Sequence, residues 1–347
     1  MIRFTNDYNR SAHPAILKAL VDTYNNSYSG YGLDELCAEA AEDIKKYLDC
    51  PEAQVHFLVG GTQMNFVVLS AMLRGYQSVI SAESGHIAVH ETGAIENTGH
   101  KVHEIPTQDG KLSAGQIREN ASYYIGHELE EHMTQPKAVY ISYPTEFGTL
   151  YTLNELEDIR RVCDEYGLYL YIDGARMGYG LTSRSCDVTL ADLARLADAF
   201  YIGGTKCGAL MGEAFVTANP VIQDHFRNYM KMNGALLAKG WLLGLQFHEL
   251  FKDGLYFDIC RQANSYAERI QEAFYSIGAE PYIVSQSNQL FYILNKEQVE
   301  VLLSDFDFEI DHWIDEGRAV VRFCTSWSTR ETEVDALISA INGVRSD

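Results

Sequence analysis

Two segments of this chain end an apolar run on a residue that can do chemistry. Tyr171-Ile172-Asp173-Gly174-Ala175-Arg176 delivers a carboxylate, and Phe200-Tyr201-Ile202-Gly203-Gly204-Thr205-Lys206 delivers an amine. Each run reads as a buried strand, so the pair is expected at the C-terminal ends of neighbouring parallel strands. Pyridoxal phosphate requires such a pair: a lysine for its Schiff base and an anion that keeps its ring nitrogen protonated. A buried Asp and Lys also serve as strand-end caps or as a structural ion pair, and the two segments alone do not separate these readings.

Three further stretches carry reactive or charged residues. Gly60-Gly61-Thr62-Gln63-Met64-Asn65 follows a candidate strand and opens a helix, where unpaired backbone N–H groups and the helix dipole suit a phosphate. In Glu83-Ser84-Gly85-His86-Ile87-Ala88-Val89-His90-Glu91 the two histidines have the i, i+4 spacing of a helical metal pair. No third ligand stands nearby, so no metal is expected. An aromatic ring stacked on a planar cofactor is the competing role for His86, and a hydrogen-bonded core histidine is the structural one. Arg322, inside Val320-Val321-Arg322-Phe323-Cys324, is costly in an apolar strand unless paired. Its planar fork fits a substrate carboxylate or a structural salt bridge.

The elements that must position these residues follow from the apolar pattern. Short runs at 55–59, 78–81, 101–105, 138–142, 168–172, 199–202 and 212–217 predict strands, alternating with helices over 63–74, 153–166 and 190–196. Asn154 is the expected start signal of the second helix. Residues 222–272 read as long helices, followed by strands at 289–294 and 319–324 and a closing helix over 331–344. This pattern predicts an α/β fold with a mostly parallel sheet in a large domain, 14–232. A smaller α/β domain, 233–347, takes in the N-terminal arm, 1–13.

Composition narrows the function classes. The 347 residues carry a formal charge of −21, which argues against nucleic acid or an anionic membrane as partner. No segment reads as a signal peptide or membrane span. Seven scattered cysteines without a CxxC pair read as free thiols of a reducing cytoplasm.

In combination and order, these motifs resemble the threonine aldolase/β-eliminating lyase family of pyridoxal-phosphate enzymes. The resemblance rests on Tyr31-Gly32-Leu33-Asp34-Glu35, Gly60-Gly61-Thr62, His86 with Glu91, Asp173-Gly174-Ala175-Arg176, Thr205-Lys206 and Arg322. It runs from about residue 4 to the C-terminus. It implies the aspartate-aminotransferase-like fold, with a seven-stranded sheet, and cleavage of L-threonine, L-allo-threonine or related amino acids such as phenylserine. It further implies that Lys206 carries the Schiff base, that Asp173 pairs with the pyridine nitrogen and that Arg176 supports the phenolic side. His86 would stack on the ring, and Gly61, Thr62 and Thr205 would hold the phosphate. Arg322 would take the amino acid carboxylate, with Asn6 of the N-terminal motif nearby. Tyr31 would approach from a neighbouring subunit of a homodimer or homotetramer.

The chain departs from the family pattern at three places. Thr145-Glu146-Phe147-Gly148 replaces Thr-His-Asn-Gly, so either Glu146 or His86 is the expected base, and Glu146 resembles the phenylserine aldolase branch. Gly240-Trp241, preceded by Lys239, replaces a Met-Arg pair. Asn6-Asp7 replaces Ser-Asp. β-Elimination, racemisation or a catalytically silent cofactor-binding protein are the alternatives at this level.

Overall fold

A computed structural model describes residues 1–344. Its large sheet has, from edge to edge, the strands Gln54–Leu58, Glu213–Thr217, Ala199–Gly203, Tyr169–Asp173, Gln135–Ser142, Gln77–Ala82 and Val102–Ile105. Glu213–Thr217 alone runs antiparallel to its neighbours. Every residue of Ala199–Gly203 and of Glu213–Thr217 is buried, as a sheet covered by helices on both faces demands. All seven strands coincide, within a few residues, with the apolar runs that predict them.

The helices between them start and stop on local chemistry. Thr152, two residues before the expected Asn154, caps Leu153–Tyr166 in a reciprocal pair with Glu155. The helix ends on Gly167, whose φ of 63° is left-handed. Leu190–Leu196 begins on the equivalent pair Thr189 and Asp192. Gly61–Met72 differs, because its first turn has no side-chain cap.

A second sheet, in the order Glu309–Trp313, Arg318–Cys324, Gln289–Asn295, Glu280–Ile283, is antiparallel throughout. Its two outer strands carry no alternating apolar signal and were not expected from sequence. The N-terminal arm belongs with this sheet: Phe4 is fully buried in its core, and Ile2–Arg3 pairs with Phe306–Asp307.

The cores divide inside the helix Leu255–Ser276. Tyr256, Ile259 and Cys260 pack on the large sheet, whereas Ile270, Ala273 and Phe274 pack on the small one. Leu243, Phe247 and Leu250 also bury against the large sheet, so the helix Trp241–Phe251, past the expected boundary near residue 232, packs with the large sheet. Among the described residues, no helix is long and apolar enough to cross a membrane.

Candidate active site

The strands Tyr169–Asp173 and Ala199–Gly203 pair in parallel, with Ile172 opposite Phe200. Asp173 and Lys206 therefore arrive side by side at the C-terminal edge of the sheet. Between the two sheets lies a cleft of about 880 Å³, lined by Lys206, Asp173, His86, Glu146, Arg176 and Arg322. Gly61, Thr62 and Thr205 line it as well.

Asp173 is buried yet heavily hydrogen-bonded. The Tyr140 hydroxyl donates to Oδ2 at 2.6 Å and Asn65 Nδ2 at 3.1 Å, while the Ala175 N–H donates to Oδ1 at 2.9 Å. The Tyr201 hydroxyl also donates to Oδ1. Burial alone would raise its pKa, but His86 and these donors outweigh burial and hold it below the usual carboxylate value. Lys206 is affected the other way: burial and the nearby Arg176 charge push its amine below the ordinary lysine value, towards the neutral form that attacks a carbonyl.

His86 is oriented by Glu91. Nδ1 donates to Glu91 Oε1 at 2.7 Å, and Asn65 Nδ2 donates to the same oxygen at 2.6 Å. Nδ1 is thereby committed, which makes Nε2 the ring atom able to exchange a proton. Burial opposes charge on the ring, but Glu91 and Asp173 outweigh it and raise its pKa. Glu146 is half-buried, with Oε1 accepting from the Ser142 hydroxyl at 2.6 Å and from the His86 backbone N–H at 2.9 Å. Desolvation dominates there and raises its pKa.

Arg176 is gripped by Asp7 of the N-terminal arm, Nε to Oδ2 at 2.7 Å and Nη2 to Oδ1 at 3.0 Å. Arg322 donates from Nη2 to the Thr5 carbonyl at 3.1 Å and to Glu309. Asn6 is not at the cleft; its Oδ1 accepts from the Tyr8 N–H at 3.1 Å, and the neighbouring Asp7 points inward instead. Tyr31 lines a separate cavity of about 370 Å³ with Asp34 and Arg227. Its backbone is left-handed (φ 62°), and Lys231 Nζ lies 4.6 Å from its ring centre. Lys239 is exposed and lines neither cavity.

Several residues around Asp173 escape sequence reading. Tyr140, Tyr201 and Asn65 look like core residues until their polar ends meet at Asp173. Glu213 did leave a signal: a carboxylate opening a wholly buried strand is costly without partners. It accepts from the Gly204 N–H at 2.8 Å, and burial pushes its pKa up to about 7.

These groups fit pyridoxal phosphate. The uncapped first turn of Gly61–Met72 offers N–H donors to a phosphate, and a Cβ on Gly60 would meet no atom within 4 Å, so the approach is open. Asp173, held below the usual carboxylate value, and Lys206, whose amine is shifted below the ordinary lysine value, would supply the two contacts that the ring and its carbonyl carbon need. The class is therefore that of pyridoxal-phosphate enzymes on the aspartate-aminotransferase-like fold.

Residues 13–293 match the model of the beta-eliminating lyase family, and the chain belongs to that family. It is 30% identical to the low specificity L-threonine aldolase of Pseudomonas sp. (strain NCIMB 10558), over 99% of this chain and 98% of that one. The threonine aldolase of Leishmania major superposes with a TM-score of 0.97 at 43% identity, covering 100% of both chains. An aspartate aminotransferase of Thermus thermophilus shares the fold, with a TM-score of 0.72 at 15% identity over 99% of this chain and 91% of that one.

Proposed function

We propose that the protein is an aldolase that cleaves L-threonine, L-allo-threonine or a related β-hydroxy-α-amino acid such as phenylserine to glycine and an aldehyde. The near full-length similarity to threonine aldolases supports this reading. The observation that carries it is the pair of proton acceptors at one cleft, His86 backed by Glu91 and Glu146 backed by Ser142. Bound to Lys206, pyridoxal phosphate supplies an electron sink at the substrate Cα.

The residues have separable tasks. Lys206, whose amine burial pushes below the ordinary lysine value, is the amine that holds the cofactor. Asp173 holds a fixed negative charge for the ring nitrogen, and Tyr140 and Tyr201 keep that charge in place. Arg322 binds the substrate carboxylate and so decides which bond at Cα stands perpendicular to the ring. Glu146 or His86 takes the β-hydroxyl proton as the carbonyl forms and the Cα–Cβ bond breaks. β-Elimination or racemisation would need the Cα–H bond in that place and is not favoured.

Incubation with L-threonine and L-phenylserine should release glycine and the matching aldehyde, and Lys206→Ala should abolish both. Pyruvate from L-serine, with no aldehyde from either hydroxy amino acid, would overturn the reading.

We further infer a homodimer or homotetramer in which Tyr31 approaches a neighbour's cleft. Tyr8 and Met211 at the cleft, and Tyr31 and Leu33 at the second cavity, are exposed apolar side chains suited to burial by a second copy. Free thiols at all seven cysteines suit a cytoplasmic setting.

A further inference from the structure

Arg322 is already holding a carboxylate. Glu309 is its direct cross-strand partner in the antiparallel pair of Glu309–Trp313 with Arg318–Cys324, so both side chains leave the same face. Both residues line the cleft, and the Glu309 carboxylate accepts from Arg322 Nη2. The other contact of Nη2 is the Thr5 carbonyl, at 3.1 Å. Arg322 Nε is buried and has no acceptor among the described residues.

A guanidinium presents two edges to a carboxylate in fork geometry, Nε with Nη2 and Nη1 with Nη2, and both edges include Nη2. Glu309 and Thr5 between them occupy that nitrogen, so a substrate carboxylate that docks with two parallel hydrogen bonds must displace one of them. The Thr5 carbonyl is fixed, because the Cys324 N–H donates to Phe4 O at 2.7 Å and Phe4 is fully buried. Glu309 is the movable partner: its strand lies at the edge of the sheet, a register shift follows at Ile310, and its side chain is 44% exposed.

We propose that Glu309 is an internal stand-in for the substrate carboxylate, which neutralises Arg322 in the empty site and must swing into solvent when an amino acid binds. The proposal rests on Arg322 being the carboxylate-binding residue. Glu309 thereby lowers the affinity for every amino acid that reaches the cleft and leaves ligands without a carboxylate unaffected.

The test is a titration of the holoenzyme with glycine and, separately, with 2-aminoethanol, followed by the cofactor absorbance. Glu309→Gln keeps the size and removes the competing charge, and should tighten glycine about twofold to fivefold, the span of a partly exposed ion pair. Binding of 2-aminoethanol should not change. Glycine affinity that is unchanged or weaker in both Glu309→Gln and Glu309→Ala, or equal tightening of the two ligands, overturns the proposal. Arg322→Leu separates the two layers: if it leaves glycine affinity intact, the assignment of Arg322 to the carboxylate is itself wrong.

Discussion

Glu146 and Glu213 show how one residue type takes different tasks in one cleft. Glu146 reaches the substrate side through Ser142 and the His86 backbone, and burial makes it more basic than a surface glutamate. Glu146→Gln should keep cofactor absorbance and lower kcat about 10²- to 10⁴-fold, the usual worth of a positioned base. The same drop in a His86→Asn variant, with Glu146→Gln near wild type, would move the role to His86. Glu213 is a stability matter. Its folded pKa of about 7 lies above the ordinary glutamate value of 4.5, so folding takes up a proton between those values, and stability falls as pH rises through that window. Thermal melts of the cofactor-free protein should therefore favour Glu213→Gln over wild type at pH 8 and show little difference at pH 4. A parallel pH dependence in the two proteins would contradict this. Glu213 betrays itself by opening an apolar strand, whereas Glu146 does not, because the His86 N–H that bonds it lies sixty residues away in sequence.

At the scale of elements, the site depends on how closely two strand ends are pinched together. A Cβ on Gly174 would stand 1.9 Å from the Tyr201 carbonyl, and one on Gly203 would stand 2.2 Å from the Ala175 carbonyl. Backbone therefore meets backbone where Asp173 and Lys206 emerge, and the Gly203 N–H donates to Gly174 O at 2.9 Å. Gly174→Ala must push the strands apart, at about 1–3 kcal/mol or more, and should weaken cofactor binding by misplacing Asp173. Gly115→Ala is the control: its Cβ would meet only Ser113 Oγ at 3.8 Å, within the helix Ala114–Tyr124. That change should be neutral or stabilise by up to about 1 kcal/mol. Equal cofactor affinity in both variants would show that the pinch does not hold the site. The strands that form it were legible because buried parallel strands are continuous apolar runs. Glu309–Trp313 was not legible: three of its five residues are exposed, and a register shift breaks its alternation. That illegibility hid the partner of Arg322.

For the whole molecule, the question is what ties the small sheet and the large one around a shared cleft. Asp7 does so directly. It is 1% exposed, and it accepts from Arg176 beside the Asp173 strand and from Asn288 Nδ2, at 3.0 Å, beside the small sheet. The arm that carries it is itself anchored in the small core by Phe4. These partners stand so far apart in sequence that spacing could not join them, although the Asp-Gly-Ala-Arg motif was plain. Burial would raise the pKa of Asp7, but Arg176 and Lys206 outweigh it and hold the carboxyl below its ordinary value. Its contribution is therefore complete above the unfolded value of 3.8 and is lost as pH falls through the depressed folded one. Removing the carboxylate leaves the Arg176 charge buried without its partner, which costs about 3–5 kcal/mol. Asp7→Ala should lower the urea midpoint by a corresponding amount and weaken retention of the cofactor at the same time, because Arg176 then loses its fixed orientation at the cleft. Loss of stability with cofactor retention unchanged would make the arm a structural strap alone. If both properties stay at wild-type values, the two halves are held together by the shared helix Leu255–Ser276 and not by the arm.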